Sequence, residues 1–461
     1  LVERINCREC IKKQEEIYRL KEELKNLKTT LRIQQRKINE GYFGSSTPSS
    51  KKPYKENSKP GEKEKNRGGA KRGHKGNGRQ RIERADADRI EQIKAVCSCP
   101  QCGGRDLEDV GMRERAVVDY TIKTEKIIYQ LERKRCKLCN HLFQAKAPGV
   151  LPKNLYGNNL LAHVASEHYL NGIPLGHLER GTGVGYGALI GAMQNLAGLL
   201  KDIPEILLED YRKSKVKHAD ETGWRSDGEN GYAWLFTSKD TSMFRFRKSR
   251  SGKIAREVLG REKLPGVLLV DRYEAYNLTP CNIQYCYAHL LRNMQDLEKE
   301  FPDNEEVKNF IQAAAPLLAE AMNLRSLPIS DKEFYQRASK TKEEIIKIMN
   351  SEANHLGIQD FQNIFREKGD RLFHWAEDRD VPADNNFCER ELRRLVVARK
   401  ISFCSHSDKG QKTREILMSV LNTLKPRNKE NVRIQLKNFL DKISVDPNIN
   451  IYHALFANQP H

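Results

Sequence analysis

No apolar run in this chain approaches the roughly 20 residues that a membrane-spanning helix needs. No export signal, with a basic start, an apolar centre and a small-residue cleavage site, opens it either. Acidic residues are scarce against basic ones: 62 Asp and Glu face 81 Lys and Arg, a net charge of +19. That imbalance favours a polyanionic partner, most simply nucleic acid. A disulfide framework is missing too. The eleven cysteines are an odd count, and four of them form two spaced Cys-x-x-Cys pairs, which suits metal ligation in a reducing cytoplasm. A single core is excluded by size, since 461 residues imply roughly two to four domains.

Residues 1–40 read as a leucine-zipper coiled coil. From residue 11 to 40 there is no Gly or Pro, and Ile17, Leu20, Leu24, Leu27, Leu31 and Ile38 recur at steps of three and four, with Gln34 as the polar intruder. A solvated amphipathic helix packed on its own protein is the plainer alternative. Residues 41–92 form a flexible basic linker in which Gly, Ser, Pro and Lys dominate. Within it, Lys71, Arg72, Lys75 and Arg79 are interleaved with glycines. Such a segment can lie along a phosphate backbone, the glycines allowing close approach and the cations neutralising phosphates.

Residues 93–147 read as a zinc-binding domain. Cys99 and Cys102 make one knuckle, Cys136 and Cys139 the other, and residues 103–135 between them leave room for a hairpin. Four thiolates make one tetrahedral structural Zn²⁺ site. Val117-Val118-Asp119-Tyr120 and Ile127-Ile128-Tyr129-Gln130-Leu131 read as strands there. Cys97 and His141 are spare ligand types nearby, and the Cys7/Cys10 pair has no companion pair, so core filling suits it better. Residues 148–212 are helical by spacing, and the break from Gly181 to Gly187 fits a DNA-binding helix-turn-helix as well as it fits a plain helical pair.

From residue 213 the pattern turns to β. Strands are expected at Trp234–Thr237, Met243–Phe246, Gly266–Val270 and Ile283–Tyr287, with a helix near 253–260. Asp220 lies on the first strand, and Asp271 ends the run Gly266-Val267-Leu268-Leu269-Val270. Glu389 opens a later basic helix after Asp384-Asn385-Asn386. Residues 213–292 and 384–461 are then two parts of one core, and 293–383 an all-helical insertion. Adjacent buried carboxylates repel unless a cation fills the space between them, and hard divalent ions suit oxygen ligands. Strand alternation lets only one of Asp220 and Glu221 face that space. Glu391 should point away, Asp384 is the rival third acid, and Asn385 and Asn386 are expected to cap the helix. Arg390, Arg393, Arg394, Arg399 and Lys400 would bind phosphates beside Glu389, although Arg393 could instead pair with Glu389 along the helix. Cys286 and His289 form a Cys-x-x-His pair better suited to supporting the wall than to holding zinc with two ligands.

The order of these motifs resembles the bacterial insertion-sequence-66 (IS66) type transposases of the DDE superfamily. The motifs are Gly73-His74-Lys75-Gly76, the Cys99 to Gly103 knuckle, Asp220-Glu221-Thr222, and Asp271-Arg272-Tyr273 with Tyr276. Cys286-Tyr287-Ala288-His289 with Arg292, Asn385-Asn386 with Glu389-Arg390, and Arg399-Lys400 complete the set. Arg272 stands where that family more often has Gly, and Ile451 to His461 lacks a tryptophan-rich ending.

The resemblance implies a multi-domain α+β chain. Its catalytic core would be RNase H-like, a mixed five-stranded sheet with helices and the all-α insertion, preceded by the zinc-binding domain and the N-terminal coiled coil. It implies cleavage at transposon ends and transfer of the 3′-OH into target DNA, with two Mg²⁺ or Mn²⁺ ions held by Asp220, Asp271 and Glu389. The implied partners are double-stranded DNA, further copies of the chain through the coiled coil, and accessory proteins of the same element. The implied location is the bacterial cytoplasm, at the nucleoid. Three other readings use the same residues: a catalytically inactive DNA-binding regulator, an RNase H-like nuclease that cuts without joining, and a zinc-and-zipper transcription factor that leaves the β-rich half unexplained.

Overall fold

The computed structural model describes residues 8–40, 84–86, 90, 102–103, 105, 108, 124–402, 404–427 and 431–456. They fall into two compact units, Pro53–Ile127 on one hand and Leu1–Lys52 with Ile128–His461 on the other. In the smaller unit a single 3₁₀ turn, Arg84–Asp86, is the element among the described residues. Cys99 and the cations Lys71, Arg72, Lys75 and Arg79 lie outside the described residues, as does the expected strand at Val117.

In the larger unit the chain begins with helix α1, Arg8–Glu40. A short hairpin follows, β1 (Arg133–Arg135) antiparallel to β2 (Leu142–Gln144). The strand expected from Ile127 to Leu131 is absent. Those residues form no ladder, and Ile128 is 92% exposed, because the pairing falls instead on either side of the Cys136–Cys139 turn.

Four helices come next: α2 (Asn158–Tyr169), α3 (Leu175–Thr182), α4 (Tyr186–Leu199) and α5 (Ile203–Lys213). Gly183, left-handed at φ 69°, ends α3 and turns the chain directly into α4. Left-handed backbone costs a Cβ-bearing residue more than glycine, which is why the turn falls there.

The centre is a mixed five-stranded sheet. Its strands are β3 (Val216–Ser226), β4 (Glu229–Thr237), β5 (Ser242–Arg247), β6 (Val267–Val270) and β7 (Asn282–Tyr285), in the order β5-β4-β3-β6-β7. The pairs β3–β4 and β4–β5 are antiparallel; β3–β6 and β6–β7 are parallel. Helix α6 (Gly252–Leu259) makes the crossover from β5 to β6. Gly266, at φ 73°, opens β6, and a Cβ there would stand 2.0 Å from the Lys215 carbonyl. Only glycine allows β6 to run that close to β3. All four residues of β6 are buried, as expected of a parallel strand covered on both faces.

After β7 every described element up to residue 385 is helical: α7 (Tyr287–Glu300), α8 (Glu305–Leu324), α9 (Asp331–Met349), α10 (Leu356–Glu367), a 3₁₀ turn and α11 (His374–Glu377). Helix α12 (Asn386–Ser402) then returns to the sheet and packs on β3 and β4. Helix α13 (Asp408–Arg427) covers the open edge of β5. Glu415, Ser419 and Thr423, one helical turn apart, accept the N–H groups of Phe246, Phe244 and Ser242 at 3.1, 2.9 and 3.0 Å. An edge strand would otherwise present those donors for pairing with another chain. Helices α14 (Val432–Val445) and α15 (Ile451–Phe456) close the described chain against α2 and α5. No helix among the described residues is long and apolar enough to cross a membrane.

Candidate active site

Asp220 sits in the middle of β3, opposite Leu235 of β4, on the face that α12 covers. Beyond the pair His218↔Leu269, β6 no longer flanks β3, so the sheet opens beside Asp220. Asp271 is the first residue past β6 and stands at that opening. Its Oδ1 accepts the N–H of Tyr273 at 3.0 Å, an Asx turn that starts the 3₁₀ segment Glu274–Tyr276. Glu389 lies in the first turn of α12.

Alternation along β3 was expected to send Glu221 away from Asp220, and the structure departs from that. Oxygens of Asp220, Glu221 and Asp271 all lie within 4.8 Å of one another. The opening is the reason: with no neighbouring strand on that side, carboxylates leaving opposite faces both bend around the free border of β3. Glu221 is almost fully buried and firmly held. Arg250 donates to its Oε1 through Nε at 2.8 Å and Nη2 at 2.6 Å, and the Tyr276 hydroxyl donates to its Oε2 at 2.6 Å. The Arg250 guanidinium in turn lies 3.8 Å from the centre of the Tyr273 ring.

Burial and charge repulsion both act on the acids of the site. Burial pushes Asp220 far above the ordinary carboxylate range, and the charges of Glu221, Asp271 and Glu389 push it further. Asp271 is pushed up to about 7, by burial first and Glu221 next, against the pull of the Tyr273 N–H, Arg250 and Arg272. Glu389 is raised by burial and held back by Arg292, Arg393 and Arg390. A divalent cation would reverse each of these shifts, so oxygen donors and charge both fit such an ion.

The helix that carries Glu389 is pinned by Asn385, which is buried. Its side chain donates from Nδ2 to the Ala219 carbonyl at 2.9 Å, and its Oδ1 lies 2.8 Å from His218 Nδ1. Its backbone N–H donates to Cys286 Sγ at 3.1 Å. Burial holds the His218 imidazole down at about 4, so it is neutral and donates to Asn385. The expected capping role therefore belongs to another side chain: Asp384 Oδ1 accepts the Asn386 N–H at 2.9 Å, while Asn385 ties the helix to β3. Glu391 points away and pairs with Lys425 of α13 at 3.2 Å.

Among the basic residues of α12, Arg390, Arg393 and Lys400 are exposed and Arg394 is half-buried. Arg399 is differently placed. It donates to the Thr222 hydroxyl at 3.1 Å and to the Gly223 carbonyl, which makes it a tie between α12 and β3. A cleft of about 650 Å³ opens beside it at the β3–β4 turn, lined by Trp224, Arg225, Tyr232 and Ser405 among others, and the three acids are not part of its wall. Cys286 and His289 were expected to lack a third ligand; the structure brings Glu389 to within 4.8 Å of both. Sequence reasoning missed the holding roles of Arg250, Tyr276 and Asn385; Tyr276 lies five residues after Asp271, whereas no neighbouring acid singled out Arg250, 29 residues from Glu221.

At the hairpin, the Cys136 thiol is held below its ordinary range by the N–H groups of Cys139 and Leu138. Its carbonyl accepts the Asn140 N–H and its own N–H donates to the His141 carbonyl, both at 2.9 Å.

Two curated proteins of Sinorhizobium fredii (strain NBRC 101917 / NGR234) are similar to the chain. "Uncharacterized protein y4qI" is 25% identical over 328 residues, which are 61% of this chain and 59% of that protein. "Uncharacterized protein y4jD" is 22% identical over 379 residues, 73% of this chain and 72% of that protein. The chain thus spans less than two thirds of the first relative's length. The family model described as "Transposase IS66 family" matches residues 153–413, from just before α2 into α13. That span contains Asp220, Asp271 and Glu389, and it is more than half of the chain: the protein belongs to the IS66 transposase family.

Proposed function

We propose that the chain is a DDE-type DNA transposase that cuts at transposon ends and joins the resulting 3′-OH to target DNA. The observation that carries the reading is the meeting of carboxylates at the opening beside β3, where Asp220 and Asp271 are both raised by burial first and by the charge of Glu221 next. Asp220, Asp271 and Glu389 would hold two Mg²⁺ or Mn²⁺ ions. When bound, such a pair activates an attacking oxygen and stabilises a leaving one in an in-line phosphoryl displacement.

The chain's own residues do the positioning. The Asx turn fixes the Asp271 carboxylate, Asn385 fixes the start of α12 and so Glu389, and Arg250 with Tyr276 offsets the charge of Glu221 behind the pair. Arg390, Arg393 and Lys400, exposed on α12, bind the phosphates that flank the scissile bond, with Arg394 beside them. Arg399 contributes by holding α12 to β3. No protein nucleophile is needed, since water and then a DNA 3′-OH can attack. At the hairpin, Cys136 and Cys139 would supply thiolates to a structural Zn²⁺, and the low thiol of Cys136 suits the thiolate form that zinc binds.

The test uses DNA carrying the element's own ends and a target plasmid in Mg²⁺. Asp220→Ala, Asp271→Ala and Glu389→Ala should each lower end cleavage by more than the roughly 10–100-fold expected for loss of an outer-shell partner, with DNA binding retained. Asp384→Ala should be milder, costing about 1 kcal/mol as a lost helix cap. Near-normal cleavage by any of the three alanine variants removes that residue from the triad. Cleavage without strand-transfer products would identify a nuclease instead.

A further inference from the structure

The second cluster around Glu389 has a chemistry unlike the first. Cys286 directly precedes α7 and His289 lies in its first turn, and both face the start of α12. Cys286 Sγ, a ring nitrogen of His289 and an oxygen of Glu389 lie within 4.8 Å of one another. His289 Nδ1 and Glu389 Oε1 are 3.8 Å apart. Ligands around a tetrahedral zinc with ordinary bond lengths stand roughly 3.4–3.6 Å apart. The pair is within a few tenths of an ångström of that, and the thiol, within 4.8 Å of both, needs to move by no more than about 1.3 Å. Glu389 Oε1 is sealed from solvent and accepts no hydrogen bond among the described residues. A buried carboxylate oxygen left in that state is costly unless something cationic reaches it.

We propose that Cys286, His289 and Glu389 form a separate metal site that takes a thiophilic ion of the Zn²⁺ or Co²⁺ type and, by engaging Glu389, keeps it from joining Asp220 and Asp271. The proposal rests on the reading of Glu389 as the third acid. One thiolate, one imidazole and one carboxylate, with a fourth position left to water, are a zinc-type donor set. Mg²⁺ demands oxygens in an octahedron and does not favour such a set. The ion binds as Cys286 releases its thiol proton to solvent and forms the sulfur–metal bond. The site therefore discriminates between metals: Mg²⁺ would draw Glu389 to Asp220 and Asp271, and a thiophilic ion would keep it beside Cys286 and His289. Such an ion inhibits competitively with Mg²⁺, because both need the same carboxylate.

The test is a Co²⁺ titration of the full chain, read at the thiolate-to-cobalt charge-transfer band, which requires neither DNA nor activity. In a Cys136→Ser background, which disables the zinc knuckle, the band should persist. Adding Cys286→Ser should abolish it, and adding His289→Gln should weaken Co²⁺ binding at least about tenfold, as loss of a ligand does. Should Cys136→Ser fail to fold, the same answer comes from metal content: Cys286→Ser should hold one thiolate-bound Co²⁺ fewer per chain than the parent. An unchanged band or content in Cys286→Ser overturns the site. In the cleavage assay, Zn²⁺ should raise the Mg²⁺ requirement of the parent and not of Cys286→Ser, each rate taken relative to the same protein in Mg²⁺ alone. Equal inhibition of both overturns the link to Glu389. Lack of Mg²⁺-dependent cleavage in every protein would count against the transposase reading, while the cobalt band decides the site by itself.

Discussion

Asp271 carries a proton further up the pH scale than any ordinary aspartate, and this has a measurable consequence. Its carboxyl stands at about 7 in the folded protein against 3.8 for the free side chain. The folded state therefore binds a proton that the unfolded state has already lost, and stability falls as pH rises. For this group the stability is fully present below the unfolded value and is lost as pH climbs through 7. The slope is at most roughly 1.4 kcal/mol per pH unit. Metal-free protein should accordingly melt at progressively lower temperature between about pH 4 and pH 7, with Asp271→Asn flattening that part of the curve. Mg²⁺ should restore the parent near pH 7 and do little for the variant. Parallel melting curves for the two proteins across this range would mean that Asp271 does not titrate within the cluster. At this scale Asp271 was conspicuous in the sequence, since its carboxylate ends an apolar run. The company of Glu221 was not. Strand alternation is a rule about faces, and Asp220 stands where β3 has lost a neighbour and the two faces meet at an open border.

Element by element, β4 to β7 could be read because each contains a short apolar or aromatic run, and the crossover helix because its apolar residues keep helical spacing. Their order in the sheet is consistent with the order of those runs. Two features that hold the elements in place were hidden, and for one reason: each joins a side chain to backbone far away in the sequence. The α13 ladder on β5 links residues 415–423 to 242–246, and Asn385 links α12 to Ala219 and His218. An asparagine before a helix looks like a cap, and only the fold reveals that its amide faces the sheet. Asn385→Ala should strip partners from His218 and the Ala219 carbonyl, which are buried, at a cost of about 1–3 kcal/mol. It should also let Glu389 drift, lowering cleavage by about 10–100-fold as an outer-shell loss does. Denaturant unfolding and the end-cleavage assay read the two effects separately. Stability lost without any change in cleavage would make Asn385 a structural tie alone.

Across the whole molecule, an exposed apolar seam and an excess of positive charge remain after the core is built. On α1, Ile17, Leu20, Leu24, Leu27 and Leu31 are 46–68% exposed, although one seam usually buries such residues against another. Transposition must bring two ends together, so a second copy of α1 is the natural occupant. Replacing Leu24 and Leu27 by Glu should shift the chain towards monomer in sedimentation; an unchanged oligomer would place self-association elsewhere. The charge of +19 acts through a different route. Lys71, Arg72, Lys75 and Arg79 sit among glycines in the linker, with Ala70 the only apolar residue between Tyr54 and Ile82 besides Pro60. If they lie along a phosphate backbone, each contact releases counterions, and the logarithm of affinity falls with the logarithm of salt by about 0.9 per phosphate. Neutralising all four should weaken binding to every DNA sequence alike and flatten that slope by up to about 3.6. Affinity lost for the transposon-end sequence alone, at an unchanged salt slope, would show that this arm reads bases. The non-specific grip would then have to come from the exposed cations of α12 beside Glu389.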